Sequence, residues 1–258
     1  MLKAKTIRIR FKSDHLRLSG TLHLPDNYSL KTPCIIGSHG LFSDSSSPKQ
    51  IALAQQCNQK KLAYFRFDHR GCGKSEGNFK TETTITNRFR DFCAAIQTIK
   101  DDPDIGDRLG YFGSSLGGTV ALLASLIEPP RTMVTLSAPI SMSSVWDVLV
   151  KNRQHEMLSQ TFYEEAIAFN IQEQLHHIHN LLIFHGSDDE VVPVANAKSL
   201  LNDVSKPSEL YVFDGGCHQL ANKDHQDLFI RKTLNWFNDF FQTDKLGDVP
   251  CEKSGDAP

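Results

Sequence analysis

Gly113-Ser114-Ser115-Leu116-Gly117 separates a short apolar run, residues 109–112, from a longer one, residues 120–127, that is broken only by Ser125. The first run has the length of a strand, and the second is a buried helix far too short to cross a bilayer. Between them the chain must turn sharply. A serine on such a turn sits in strained backbone, and a glycine on each side removes side chains that would collide with neighbouring elements. The helix that opens at Leu116 aims its N-terminal dipole at the negative charge formed when a nucleophile attacks a carbonyl. Ser115 is therefore the candidate nucleophile, and the backbone N–H of Leu116 a candidate donor to the oxyanion.

Outward from this turn, short apolar runs recur at residues 34–37, 63–67, 132–136, 181–184 and 210–213. None of them alternates with polar residues, which suits parallel strands buried on both faces. Helical stretches lie between them. The clearest carries Ile85, Phe89, Phe92, Ile96 and Ile99, and another carries Ile230, Leu234, Phe237 and Phe241. Before them, Ile7, Ile9 and Phe11 alternate, as do Leu16, Leu18, Leu22 and Leu24, with Ser13-Asp14 between, so the chain opens with an antiparallel hairpin. The pattern predicts an α/β fold, a mostly parallel eight-stranded sheet with helices on both faces and ligands bound beyond the carboxyl ends of the strands.

A serine hydroxyl needs a neutral imidazole to take its proton, and that imidazole needs an acceptor to fix its tautomer. Two loops beyond strand ends supply these groups. His185-Gly186-Ser187-Asp188-Asp189 follows one run, and Gly215-Gly216-Cys217-His218 follows the last. His218 is the candidate base, and Asp188 and Asp189 compete for the acid. Gly37-Ser38-His39-Gly40-Leu41-Phe42 ends another run, which makes the N–H of Leu41 the candidate second oxyanion donor.

Other motifs fall away. Gly71-Cys72-Gly73-Lys74-Ser75 would need glycine at position 68 to be a phosphate loop and at position 76 to be a dinucleotide fingerprint, but Asp68 and Glu76 stand there. The expected alternative is a tight loop braced by the charges of Asp68 and Arg70. His176, His177 and His179 lack a cysteine or glutamate at ligand spacing and suit a solvated helix end, so no metal site is expected.

Taken together, His39-Gly40, the stretch from Asp68 to Ser75, Gly113 to Gly117, His185-Gly186 with Asp189, and Gly216-Cys217-His218 resemble the α/β-hydrolases, particularly small capped esterases of the cinnamoyl and feruloyl esterase type. The resemblance covers nearly the whole chain, and the order Ser115, Asp189, His218 is that family's triad order. It implies that the aspartate four residues after the histidine of the H-G-x-x-D loop is the acid, hence Asp189. Cys217 departs from the family in adding bulk before the base. The stretch 139–179 has no motif that aligns with a particular esterase, so substrate identity does not transfer.

That stretch breaks the alternation of strands and helices. We read it as a helical cap inserted between core segments 1–138 and 180–243, with Phe42, Trp146, Phe162 and Val191 as candidate substrate contacts. Residues 244–258 read as a disordered tail. At 258 residues, 40% hydrophobic, 22% charged and a net charge of -2, the chain shows no footprint for nucleic acid or membrane. No cofactor is expected. Six cysteines without C-x-x-C spacing, and a start without an apolar block, lead us to expect a cytoplasmic protein. The expected reaction is hydrolysis of small carboxylic esters, short-chain or aromatic, through an acyl-enzyme. An aminopeptidase-like or acyl-peptide hydrolase, with Glu164 or Glu165 binding an amine, and a thioesterase are enzyme alternatives on the same triad. A binding protein of hydrolase fold is the non-enzymatic alternative. Oligomeric state is not legible.

Overall fold

The computed structural model describes residues 5–26, 28, 29 and 32–242. The proposed tail at 244–258 lies outside the described residues. Strands β1 (Lys5–Ser13) and β2 (Leu16–Leu24) form the hairpin, in register from Lys5 opposite Leu24 to Ser13 opposite Leu16. Then come β3 (Cys34–Ser38), helix α1 (Pro48–Gln59), β4 (Ala63–Asp68), the short α2 (Phe79–Glu82), α3 (Ile85–Lys100), β5 (Leu109–Ser114) and α4 (Leu116–Ser125). After β6 (Thr132–Leu136) the helices α5 (Ser143–Lys151) and α6 (Gln160–Ala168) intervene, with 3-10 turns at Gln154–Met157 and Gln172–His177. The chain resumes with β7 (Leu181–Gly186), α7 (Ala195–Asp203), β8 (Ser208–Phe213) and α8 (Lys223–Gln242).

All eight strands join one sheet in the order β1-β2-β4-β3-β5-β6-β7-β8. Only the pairings of β2 with β1 and β4 are antiparallel. Every residue of β3, β6 and β7 is buried, because helices cover both faces there. Phe92, Ile96 and Ile99 of α3 pack with Val120 and Ala121 of α4 on one face. Leu53 and Cys57 of α1 pack with Phe229, Leu234 and Phe237 of α8 on the other. Each Val, Leu, Ile or Phe side chain among these, fully removed from water, contributes about 1.5–3 kcal/mol.

The insertion between β6 and β7 has its own cluster. Met142, Val145, Leu149, Leu158, Phe162 and Ala166 pack together and against Leu41 and Val192 of the loops above the sheet and Ile85 and Leu116 at the starts of α3 and α4. Ile171, Leu175 and Ile178 instead join the main core beside the sheet. The helices α5 and α6 thus roof the carboxyl ends of the strands, where the loops of interest emerge.

Candidate active site

Ser115 stands at the turn from β5 into α4 with φ 55° and ψ -130°, a backbone conformation that costs an ordinary residue of order 1–3 kcal/mol. The turn is pinned by Ser115 N–H donating to Leu136 O at 2.8 Å. A Cβ on Gly113 would strike the carbonyl of Gly117, and one on Gly117 would strike Ser38 O and lie 2.6 Å from His39 O. The two glycines therefore let α4 pass close to β5 and to the loop after β3.

The loops after β7 and β8 meet so closely that a Cβ on Gly186 would strike Gly216 O. Asp188 N–H donates to that carbonyl at 3.0 Å, which locks one loop to the other. His218 comes to rest with Nε2 3.2 Å from Ser115 Oγ and Nδ1 2.9 Å from both carboxylate oxygens of Asp189. Asp188, by contrast, is exposed and accepts from Ser187 Oγ at 2.8 Å. Burial by itself would raise the pKa of Asp189, but hydrogen bonds from His185 and His218 and from the N–H of Val192 hold its carboxyl well below the usual carboxylate range. His185 is fully buried and donates from Nε2 to Val192 O at 2.8 Å, which fixes the turn that cradles this carboxylate. Glu190, a residue to which sequence reasoning assigned no role, accepts from His218 N–H at 3.1 Å and steadies the base loop.

The loop after β3 passes over the nucleophile, with Gly40 so close that a Cβ there would lie 3.4 Å from Ser115 Cβ. The backbone N–H groups of Leu41 and Leu116 donate to no partner among the described residues. Buried Arg88 donates to three consecutive carbonyls of this loop, His39 at 3.4 Å, Gly40 at 3.2 Å and Leu41 at 2.8 Å. His39 Nε2 accepts from His69 N–H at 3.1 Å while Nδ1 donates to Gly40 O at 2.8 Å, so the ring is neutral with its proton on Nδ1. Burial, with His69 and Arg88 nearby, keeps its pKa well below the ordinary value.

Beneath this loop the structure corrects one expectation. Asp68 braces the 71–75 loop by accepting from Lys74 N–H, and also from Ser45 N–H, each at 2.8 Å. Arg70 turns away and grips Asp91 Oδ1 of α3 from Nε at 2.9 Å and Nη2 at 2.7 Å, because a buried guanidinium fork fits a carboxylate.

A cavity of about 580 Å³ contains Ser115 and His218. Phe42 and Val191 line it. Trp146 and Phe162 do not, and this corrects the expected substrate contacts. Phe162 is wholly buried, and Trp146 lies over it and Tyr163 at ring distances of 6.4 and 4.7 Å. The insertion uses its aromatics for its own core and presents Met142, Val145 and Leu149 to the cavity. The sequence offered no signal separating these roles, since both sets are simply apolar. A cavity of about 570 Å³ at the opposite ends of the strands is lined by Asp107, Arg108, Arg131 and His179 and lies remote from Ser115. Among the described residues no group of three metal-ligating side chains comes together, and no helix is long and apolar enough to cross a membrane.

A mostly parallel eight-stranded sheet with a strained serine at a strand-to-helix turn, met by histidine and aspartate from the last two loops, defines an α/β hydrolase. Residues 31–167 match the serine aminopeptidase family S33, and the chain belongs to that family. Palmitoyl-protein thioesterase ABHD10, mitochondrial, from Mus musculus is 25% identical over 224 residues, which are 78% of this chain and 73% of that protein. The Homo sapiens protein of the same name is 28% identical over 197 residues, 63% of this chain and only 59% of its own length. Among solved structures, Est1E from Butyrivibrio proteoclasticus with ferulic acid bound is similar with a TM-score of 0.76 at 19% identity, covering 90% of this chain and 98% of that one. Alpha/beta hydrolase domain-containing protein 10 from mouse gives 0.71 at 22% identity, covering 92% and 99%.

Proposed function

We propose that this hydrolase cleaves small carboxylic esters through an acyl-enzyme on Ser115. The observation that carries the reading is the unbroken line of contacts from Ser115 Oγ through the His218 ring to Asp189. His218 Nε2 takes the proton as Oγ attacks the carbonyl carbon, and Asp189 stabilises the imidazolium. The N–H groups of Leu41 and Leu116 receive the oxyanion. His218 returns the proton to the leaving oxygen, the acyl group stays on Ser115, and water repeats the sequence to release the acid. Serine, imidazole and backbone dipoles supply the whole reaction without a cofactor. The five cysteines among the described residues are free thiols, which suits a reducing compartment such as the cytoplasm, whereas the ABHD10 relatives bear a mitochondrial name.

Thioester cleavage is the second reading, favoured by the thioesterase name of those relatives. The family description raises aminopeptidase action, but the cavity lining contains no Asp or Glu side chain among the described residues. Glu165 is engaged elsewhere, accepting from Thr86 N–H at 3.0 Å, and Glu164 accepts from Gln160 at 3.2 Å. The test is turnover of p-nitrophenyl acetate, an S-acyl thioester of matched acyl length and an aminoacyl p-nitroanilide by the wild type and by Ser115→Ala. Ester turnover should exceed anilide turnover and fall to background in the variant. Undiminished ester turnover by Ser115→Ala, or an anilide preferred over both esters, contradicts the reading.

A further inference from the structure

Lys49 and the first turn of α1 share the cavity with Ser115 and His218, and the reaction proposed above uses none of them. Lys49 Nζ donates to Gln219 O at 2.8 Å and has no carboxylate within ion-pair distance among the described residues. An ammonium has three donors, so this leaves two to spend. Burial lowers its pKa, while the proximity of Cys217 and Asp189 raises it. No Asp or Glu side chain among the described residues lines the cavity to neutralise this cation.

The next residue gives an independent sign of a missing partner. Gln50 is 1% exposed and lines the cavity; its Oε1 accepts from Tyr64 O–H at 2.6 Å, but its Nε2 is buried without a hydrogen-bond acceptor. An unpaired buried amide donor is costly, and a ligand oxygen would satisfy it. Ser47, the N-cap of the twelve-residue α1, leaves its hydroxyl out of capping; Pro48 carries no N–H, and the backbone N–H groups of Lys49 and Gln50 have no acceptors among the described residues. Donors of four kinds thus gather on one wall, an ammonium, a side-chain amide, a hydroxyl and backbone N–H groups, all suited to an oxyanion.

The chemistry of the triad places this wall. The leaving atom must collect its proton from His218 Nε2, so it departs on the His218 side, and Lys49 is bonded to the residue that follows His218. The apolar wall of Met142, Val145 and Leu149 remains for the acyl group. We propose that Lys49, with Gln50 Nε2 and the N–H groups that open α1, binds an anionic substituent, a carboxylate or a phosphate, on the leaving alcohol or thiol. This inference rests on the hydrolase reading above and deepens it. The substituent is untouched by the reaction: the bond from carbonyl carbon to Ser115 Oγ forms, the bond to the leaving atom breaks, and the serine proton passes through His218 to that atom.

Three butyrate esters test it: 3-carboxyphenyl, 3-phosphonooxyphenyl and neutral 3-carbamoylphenyl butyrate, assayed for kcat/KM at low ionic strength. The wild type should prefer at least one anionic ester over the neutral one by about tenfold, a factor within reach of a charge-assisted hydrogen bond, and the better of the two names the group. Added salt should shrink that ratio. Lys49→Met should bring it to within about twofold of unity, the neutral ester serving as internal reference for any general loss. No preference in the wild type overturns the inference. So does a preference that survives in Lys49→Met, including an equal loss with charged and neutral esters, because Lys49 would then only prop the Gln219 loop. Turnover of the neutral ester, and its loss in Ser115→Ala, tests the hydrolase reading separately; no turnover of any ester overturns both.

Discussion

At the scale of single residues, two neighbouring aspartates have opposite surroundings. Asp189 receives N–H bonds from Val191 at 3.0 Å and Val192 at 2.8 Å in addition to the His218 ring, whereas Asp188 faces solvent beside Ser187. Composition and spacing left the two open, and only the resemblance to capped esterases favoured Asp189. The reason is physical, because a one-residue shift in a loop changes which side chain points inward, and no periodicity governs a loop. Asp189→Asn should lower kcat for esters by about ten-thousandfold, since the amide presents the wrong partner to His218 Nδ1–H. Asp188→Asn should leave kcat within about twofold, as expected of an exposed substitution. Equal effects of the two in steady-state kinetics would contradict the assignment.

At the scale of elements, α3 shows what the sequence displayed and what passed unread. Its apolar stripe predicted the helix, and the N-cap Thr84 accepts from Asn87 N–H at 3.0 Å as a helix start requires. Yet Arg88 and Asp91 fall on the same buried face as Ile85, Phe92 and Ala95, and charges on an apolar stripe were the available signal. That signal says only that each charge must find partners; it does not say where, because the partners lie in the loops after β3 and β4. Arg88 positions the oxyanion loop through its carbonyls. In Arg88→Lys a single ammonium cannot span all three, so kcat should drop by about tenfold or more with little change in KM, and stability by about 1–3 kcal/mol. A parallel urea titration separates the two effects, and an unchanged kcat contradicts the positioning role. The strand turns were better displayed in sequence, since Gly113 and Gly117 answer a steric demand that is local.

At the scale of the whole molecule, the buried histidines under the site tie folding to pH. His69 is wholly buried between Ser38, whose Oγ lies 2.9 Å from Nε2, and Asp91. Burial outweighs the pull of Asp91 and lowers its pKa to about 4 from the ordinary 6.5. The unfolded chain therefore binds a proton at a pH where the folded chain does not. This contribution is complete above about pH 6.5 and is lost as the pH falls towards 4, a loss of about 3 kcal/mol at most for this ring. Asp91, held at about 2 against an ordinary 3.8, adds a loss only at lower pH. Urea unfolding between pH 7 and 4.5 should show stability falling, with a shallower fall in His69→Gln; a flat profile contradicts the burial argument. The alternation of strands and helices made the sheet and its helical layers legible from the start, whereas the cavity walls were not, because they depend on which apolar side chains the insertion keeps for itself. One activated serine per chain underlies every step of the proposed reaction. Intact-protein mass spectrometry after reaction with a fluorophosphonate, followed by peptide mapping, measures this most directly. One adduct per chain, carried by Ser115, slowed in His218→Ala and lost in Ser115→Ala, is the predicted result; a chain left unlabelled, or labelled at another residue, contradicts it.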